Sequence, residues 1–127
     1  QGAEEANEAE GEELARQGAL NEKTLLRFLY ENRAMEFLVA MARLCKMDAV
    51  AMEHVLADST GRTLIIVCRA QDFSLDTFKA IATSSMCSVS SDIEEIYPLT
   101  RIYRHFTRDK AQRAMRFLRM RVSALAG

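Results

Sequence analysis

Three cysteines and two histidines are the residues of this 127-residue chain with the chemistry to bind a metal or act as a nucleophile. Cys45 and His54 are nine residues apart and are expected on different helices, while Cys87 falls in a serine-rich stretch. No pair has the short spacing of a zinc site. His105 is expected to be a lone surface imidazole. We therefore expect no metal, and free thiols, including Cys68, in a reducing compartment.

Motifs of common enzyme mechanisms are also missing from the sequence. It contains no glycine-rich phosphate loop, no Gly-x-Ser-x-Gly turn and no His-Glu-x-x-His helix. The adjacent Glu94 and Glu95 resemble an acid–base pair, but carboxylates at the start of a helix stabilise its free amides without any further role. We expect a protein that is not an enzyme and uses no cofactor.

Charge is strongly polarised along the chain, although the formal net charge is −1. Residues 1–20 contain six glutamates and one arginine, whereas residues 101–127 contain eight basic residues and one acid. A cationic ridge beside an apolar stripe can bind an acidic protein, a nucleic-acid backbone or anionic lipid headgroups. The candidate partner-binding residues are Arg101, Arg104, Arg108, Arg113, Arg116, Arg119 and Arg121.

Several interpretations of this basic segment are open from the sequence. The arginines can form a solvated face that pairs with Glu94, Glu95 or the acidic start of the chain. We predict instead a protein-interaction or regulatory module with an acidic protein partner, and a homodimer is compatible with it. The alternative is a nucleic-acid-associated regulator, which a pI of 6.2 and the lack of an exposed aromatic pattern disfavour.

The overall composition predicts a single all-α domain. Of the residues, 49% are hydrophobic, and one proline and five glycines leave few helix breakers. Residues 1–13 lack large apolar side chains and are expected to be an acidic flexible tail, followed by one helical domain over 14–127. No apolar run approaches the ~20 residues that span a membrane, so we expect no transmembrane helix. The odd set of cysteines predicts a reducing compartment, and we expect a cytoplasmic protein. The start at Gln1 is compatible with a piece of a longer protein.

Apolar periodicity predicts six or seven short helices. They are expected at about 11–18, after Asn21, at 33–46, 49–57, 61–70, 75–83 and 108–125, with a serine-rich loop over 84–91. Ser59 or Thr60 should open the helix over 61–70. Because that segment is rich in β-branched residues, a strand is the alternative there.

Polar residues predict how the C-terminal third is divided. Ser91 and Glu94 fit a capping box, which predicts a helix from that point. Pro98 must end or kink this helix, because its ring clashes with the carbonyl four residues earlier. Thr107 or Asp109 should cap the last helix.

A repeat with offsets of 27 and 26 residues joins the predicted helices. Each copy has a small residue, an arginine, three residues, an apolar residue and a polar cap, with apolar residues four, seven and eight positions after the cap. The structural positions are Arg16 with Asn21, Arg43 with Asp48, and Arg69 with Ser74.

Such a unit is typical of a helical hairpin, with the arginine near the carbonyls that end one helix and the cap opening the next. Stacked hairpins form an α-solenoid, so we predict a compact, HEAT-like stack. The alternative is that short helices place caps at similar intervals without a true repeat.

The repeat, together with a Leu-x-x-x-Cys-Arg-Ala segment from Leu64 to Ala70 and an arginine-rich closing helix from Ala114 to Arg121, resembles one family. It is similar to the alpha-proteobacterial domain of unknown function 2336 proteins over about residues 14–122. Leu118 stands where that closing helix is expected to carry a large aromatic. The resemblance implies an all-helical, cytoplasmic bacterial protein, HEAT-like repeats in longer members and no catalytic residues to carry over.

Overall fold

A computed structural model of the chain describes residues 21–89, 92 and 94–126, with side chains as far as residue 121. These residues form α-helices and no strand, which confirms the all-α class and excludes the strand alternative for 61–70. The predicted helix at 11–18, Arg16 and the acidic tail lie outside the described residues. The helices are α1 (Glu22–Tyr30), α2 (Ala34–Leu44), α3 (Ala49–Ala57), α4 (Arg62–Ala70), α5 (Leu75–Ala82), α6 (Tyr97–His105) and α7 (Arg108–Ala126).

Four helix starts use caps that the sequence predicts. Asn21, Asp48 and Ser74 each accept a hydrogen bond from the amide three residues later, over 3.1, 2.7 and 3.3 Å. Thr107 accepts from the Lys110 amide over 3.2 Å, so Thr107 rather than Asp109 caps α7. Each bond satisfies an amide of the first turn that has no partner within the helix.

Three helices end in the same left-handed turn. Asn32, Lys46 and Asp72 have φ of 57°, 55° and 58° and lie two residues beyond α1, α2 and α4. The next amide in each case donates to the carbonyl five residues earlier, over 2.8, 2.9 and 3.0 Å, which is a Schellman motif. Arg43 and Arg69 lie in the last turns of α2 and α4, so the second and third repeat copies form matching corners.

The start of α4 corrects the prediction that Ser59 or Thr60 is its cap. The cap position is Gly61, with φ of 75°, a left-handed conformation that glycine adopts without a steric penalty. Thr60 reaches only the first amide of the helix, over 3.3 Å. The carboxylate of Asp58 accepts from the Thr60 and Thr63 amides over 3.0 and 3.3 Å and so satisfies the turn from outside the helix.

The start of α6 also differs from the prediction, which was wrong about Pro98. No helix begins at Asp92 in the described residues; Glu94 lies in a turn, and α6 begins at Tyr97 with Pro98 in its first turn. The first N–H groups of a helix have no partner within it, so proline, which lacks a backbone N–H, removes no helical hydrogen bond there. Pro98 therefore starts a helix instead of ending one, and Ser91 of the predicted capping box lies outside the described residues.

The helices enclose one apolar core with α4 near its centre, in contact with α3, α5, α6 and α7. Contacts also join α1 to α5 and α7 to α3, so the described helices form a compact fold in which non-consecutive helices pack together. Stacking of hairpins into a HEAT-like array stays a prediction, because a solenoid unit contacts only its neighbours. In the described part of the chain, no helix has the length and apolar character needed to cross a membrane.

Candidate partner-binding groove

Helix α7 packs against α4 and α3, and one buried stripe and one hydrogen bond to the end of α2 hold it there. Ala111 and Met115 are buried in the core, and Leu118 packs against it. At the end of α2, the Nε of Arg119 donates to the carbonyl of Cys45 over 3.1 Å. A guanidinium at this point satisfies an exposed helix-end carbonyl and complements the helix dipole. Arg119 therefore holds α7 in place.

Arg69 performs a similar task at the end of α4. Its Nε donates to the Phe106 carbonyl over 2.6 Å, and its guanidinium lies 5.3 Å from the ring centroid of Tyr103. Tyr103 is buried, stacks on Phe78 with centroids 4.6 Å apart and donates its hydroxyl to the Phe73 carbonyl over 2.5 Å. The repeat arginine thus joins α4 to the end of α6, where the chain turns into α7.

A groove of about 500 Å³ lies between α7 and the corners that end α2 and α4. Among the described residues that line it, Asp109 is the one acid. The neutral lining includes Gln71 at the α4 end and Gln112 on α7. The cationic lining residues are Lys46, Arg108, Arg113, Arg116 and Arg119. Five cations against one carboxylate make this groove strongly positive although the whole chain is slightly acidic.

The structure divides the seven predicted arginines. Those that line the groove are Arg108, Arg113, Arg116 and Arg119. Arg101 lies on α6 beside an apolar hollow that includes Ile102. Arg104 and Arg121 are exposed and outside the groove lining. The sequence predicted that all seven arginines form one basic surface. In the structure four of them line the groove and the other three lie outside it.

Among the described residues, the predicted pairing of these arginines with Glu94 or Glu95 is absent, and their pairing with the acidic start of the chain lies outside the described residues. Within residues 21–89, 92 and 94–126, no carboxylate lies within 4.0 Å of Arg108, Arg113 or Arg116. The ion pairs in this part of the chain lie elsewhere, for example on Arg33. In the described part of the chain, the exposed guanidinium groups of the groove therefore face solvent without a carboxylate partner.

Sequence reasoning missed two features of the groove region. Lys46 joins the lining because the left-handed end of α2 turns it toward α7, a placement that depends on tertiary packing. Phe117 and Met120, exposed to 72% and 70%, correct the expectation that no exposed aromatic accompanies the arginines. Their signal was available, since at 100° per residue both positions lie away from the buried Ala111 and Met115.

Cys45 and Cys68 are buried, Cys87 is half-buried, and none of the three thiols is activated. Burial raises the pKa of Cys45 to about 12, although the nearby charge of Arg119 acts to lower it. Burial likewise raises the pKa of Cys68 and Cys87. Since the thiolate is the nucleophilic and metal-binding form, these side chains are unreactive near neutral pH. The described residues contain no cluster of three or more His, Cys, Asp or Glu that could hold a metal ion.

Two carboxylates have structural partners. Glu36, 2% exposed, is paired with the Nε of Arg33. Glu22 accepts from the Ser74 amide over 3.1 Å and from the Thr77 hydroxyl over 2.6 Å. In a capping box the acid that receives the cap amide belongs to the same helix. Here an acid from α1 takes that place on α5, which fixes the start of α1 beside the α4–α5 corner.

The fold and the groove together define a small all-α domain with a strongly cationic groove. The model of the family described as uncharacterised proteins conserved in bacteria, domain of unknown function 2336, matches residues 1–116. The match covers most of the chain, so the chain belongs to this family, as the resemblance in its sequence indicated. No curated protein and no solved structure matched the chain.

Proposed function

We propose that this domain is a protein-interaction module that binds an acidic partner in the α7 groove and has no catalytic role. One observation carries the proposal: five cations and one acid line the groove, and Arg108, Arg113 and Arg116 are exposed without an ion pair among the described residues. Guanidinium groups form short, charge-assisted hydrogen bonds with carboxylates and steer them toward the site.

The size of the groove supports an acidic protein segment. The helix from Arg108 to Arg119 spans about 16 Å at ~1.5 Å per residue, which matches a short peptide. A duplex binder relies on many phosphate contacts to reach useful affinity. The net charge of −1 adds no general attraction for a polyanion. We also infer a cytoplasmic location, where three free cysteines remain reduced.

A single-stranded nucleic acid is the second candidate, because Phe117 is exposed next to the arginines of α7. Exposed aromatic rings stack on unpaired bases, and neighbouring guanidinium groups contact the phosphates. One ring supports fewer bases than the several rings of a typical single-strand platform. This candidate therefore ranks below the acidic protein.

Affinity capture from the source organism tests the proposal. We compare the wild-type chain with Arg113→Glu/Arg116→Glu, and use Arg101→Glu/Arg104→Glu as the matched control because its arginines lie outside the groove lining. The groove variant should lose its partners while the control retains them. Recovery of the same partners at equal yield by the groove variant would show that the groove is not the binding surface.

A salt titration with random duplex and single-stranded DNA separates the two candidates. Binding that falls steeply with log salt concentration is the signature of phosphate contacts and would favour the nucleic-acid candidate. Absence of binding to both DNAs at low salt would remove that candidate and leave the acidic protein.

A further inference from the structure

The chain enters the described domain next to the groove. Glu22, at the start of α1, is held by the Ser74 amide over 3.1 Å. Ser74 follows Gln71 by three residues, and Gln71 lines the groove. Three residues span at most ~11 Å. The chain before Asn21 therefore starts from the corner that forms one wall of the groove.

The acidic stretch of this chain is within reach of that wall. Residues 4–13 contain all six glutamates of the first 20 positions. The seven residues 14–20 between this stretch and Asn21 can span up to ~24 Å when extended, and about 14 Å when the helix predicted over 11–18 includes five of them. Both spans exceed the at most ~11 Å from Ser74 to the groove wall at Gln71, so the tether length permits residues 4–13 to reach the groove.

The negative charge of residues 4–13 complements the positive charge of the α7 groove. Residues 4–13 carry six carboxylates, no basic residue and no large apolar side chain. The groove offers Lys46, Arg108, Arg113, Arg116 and Arg119 against one acid, Asp109. Carboxylates on guanidinium groups are among the stronger hydrogen-bonded ion pairs in proteins, and salt weakens them when they are exposed to water.

We propose that residues 4–13 occupy the α7 groove and compete with its acidic partner. The proposal rests on the proposed function, because it assigns an intramolecular ligand to the same site. A short tether gives an effective concentration of about 1 mM, so a segment with an intrinsic Kd of ~100 µM weakens the apparent affinity for a competing ligand about tenfold. The groove is then available only to partners that outcompete the segment, or when the segment is held elsewhere.

The test uses a fluorescently labelled peptide of residues 1–13 as the probe, added in trans to the whole chain. Its affinity is measured by anisotropy at low salt for the wild-type chain and for an all-glutamine variant. The all-glutamine variant carries Glu4→Gln, Glu5→Gln, Glu8→Gln, Glu10→Gln, Glu12→Gln and Glu13→Gln. We expect this variant to bind the probe about tenfold more tightly than the wild type, because the tethered competitor is lost.

Two further variants locate the site. Adding Arg113→Gln/Arg116→Gln to the all-glutamine chain should weaken probe binding several-fold, because two of the five cations of the groove are lost. The matched addition of Arg101→Gln/Arg104→Gln, outside the groove lining, should leave binding unchanged. An unchanged affinity without Arg113 and Arg116 would place the probe elsewhere and overturn the proposal.

The outcomes distinguish this proposal from the proposed function. Equal affinity of the wild type and the all-glutamine variant would overturn the intramolecular competition while leaving an acidic ligand in the groove. No binding by either chain would overturn both. As a second readout on folded protein, amide NMR shifts along α7 should differ between the two chains at low salt and converge at high salt; identical shifts at low salt would also overturn the proposal.

Discussion

Arginines at the end of α4 and along α7 differ in what their guanidinium groups contact. Arg69 is partly buried, hydrogen-bonded to the Phe106 carbonyl over 2.6 Å and placed over the Tyr103 ring. Arg113 and Arg116 are exposed and have no ion pair among the described residues. A buried, hydrogen-bonded arginine stabilises the fold, whereas an exposed, unpaired one adds charge at little energetic cost. The comparison assigns a stabilising role to the Arg69 corner and leaves the α7 groove as the proposed binding surface.

The largest effect on stability is expected from Arg69→Ala. The substitution removes a charged hydrogen bond and leaves the Phe106 carbonyl without its donor, for a loss of about 2–3 kcal/mol in the free energy of unfolding. Urea denaturation measures this loss. Arg113→Ala is the control and should change the free energy by less than about 0.5 kcal/mol. Equal losses in the free energy of unfolding for the two variants would contradict the distinction between Arg69 and the arginines of α7.

Tyr103→Phe should have the next largest effect. It keeps the ring stacked on Phe78 but removes the hydroxyl that donates to the Phe73 carbonyl over 2.5 Å. An unsatisfied buried acceptor costs about 1–2 kcal/mol. Urea denaturation should show this loss while binding of the acidic peptide stays unchanged. A loss of binding at unchanged stability would show that the α6 corner and the groove are not separate in function.

Low pH should destabilise the turn at the start of α4 through protonation of Asp58. Partial burial acts to raise its pKa, but hydrogen bonds from Thr63 and Thr60 outweigh that effect and lower the pKa to about 2. A carboxyl with a depressed folded pKa stabilises the fold above its unfolded pKa of about 3.9 and loses that contribution as pH falls toward 2. Asp58→Asn should therefore cost about 1 kcal/mol at pH 7 and progressively less below pH 4. A pH-independent difference in urea midpoints would contradict this account.

The smallest effect on stability is expected from Arg113→Gln/Arg116→Gln. Both side chains are exposed, so the free energy of unfolding should change by less than about 0.5 kcal/mol. Thermal denaturation should give nearly the same Tm as the wild type. A drop of many degrees would mean that these arginines support the fold, and their assignment to binding would fail.

The sequence predicted those parts of the fold that depend on local chemistry. Asn21, Asp48 and Ser74 were identifiable as caps because each hydrogen bond spans only three residues. The start of α4 was misjudged because Ser59 and Thr60 are common cap residues, whereas the left-handed turn makes Gly61 the cap. Pro98 was misjudged because proline follows helix ends as well as standing in first turns, and only its place in the first turn of α6 decides between these roles.

The candidate site was predictable only in part. Arginines three residues apart on the last predicted helix indicated a basic face, and four of the seven candidates line the groove. Lys46 could not be assigned, because 62 residues separate it from Arg108 and the packing of α7 brings them together. The structural role of Arg119 was also hidden, since its acceptor is a backbone carbonyl of α2.

The most direct test of the central claim is the affinity of the labelled 1–13 peptide for the all-glutamine chain with and without Arg113→Glu/Arg116→Glu. If the α7 groove is the binding surface, charge reversal at these two exposed positions lowers the affinity by more than tenfold, because each reversal replaces attraction by repulsion. An unchanged affinity would contradict the account and place acidic ligands outside the groove.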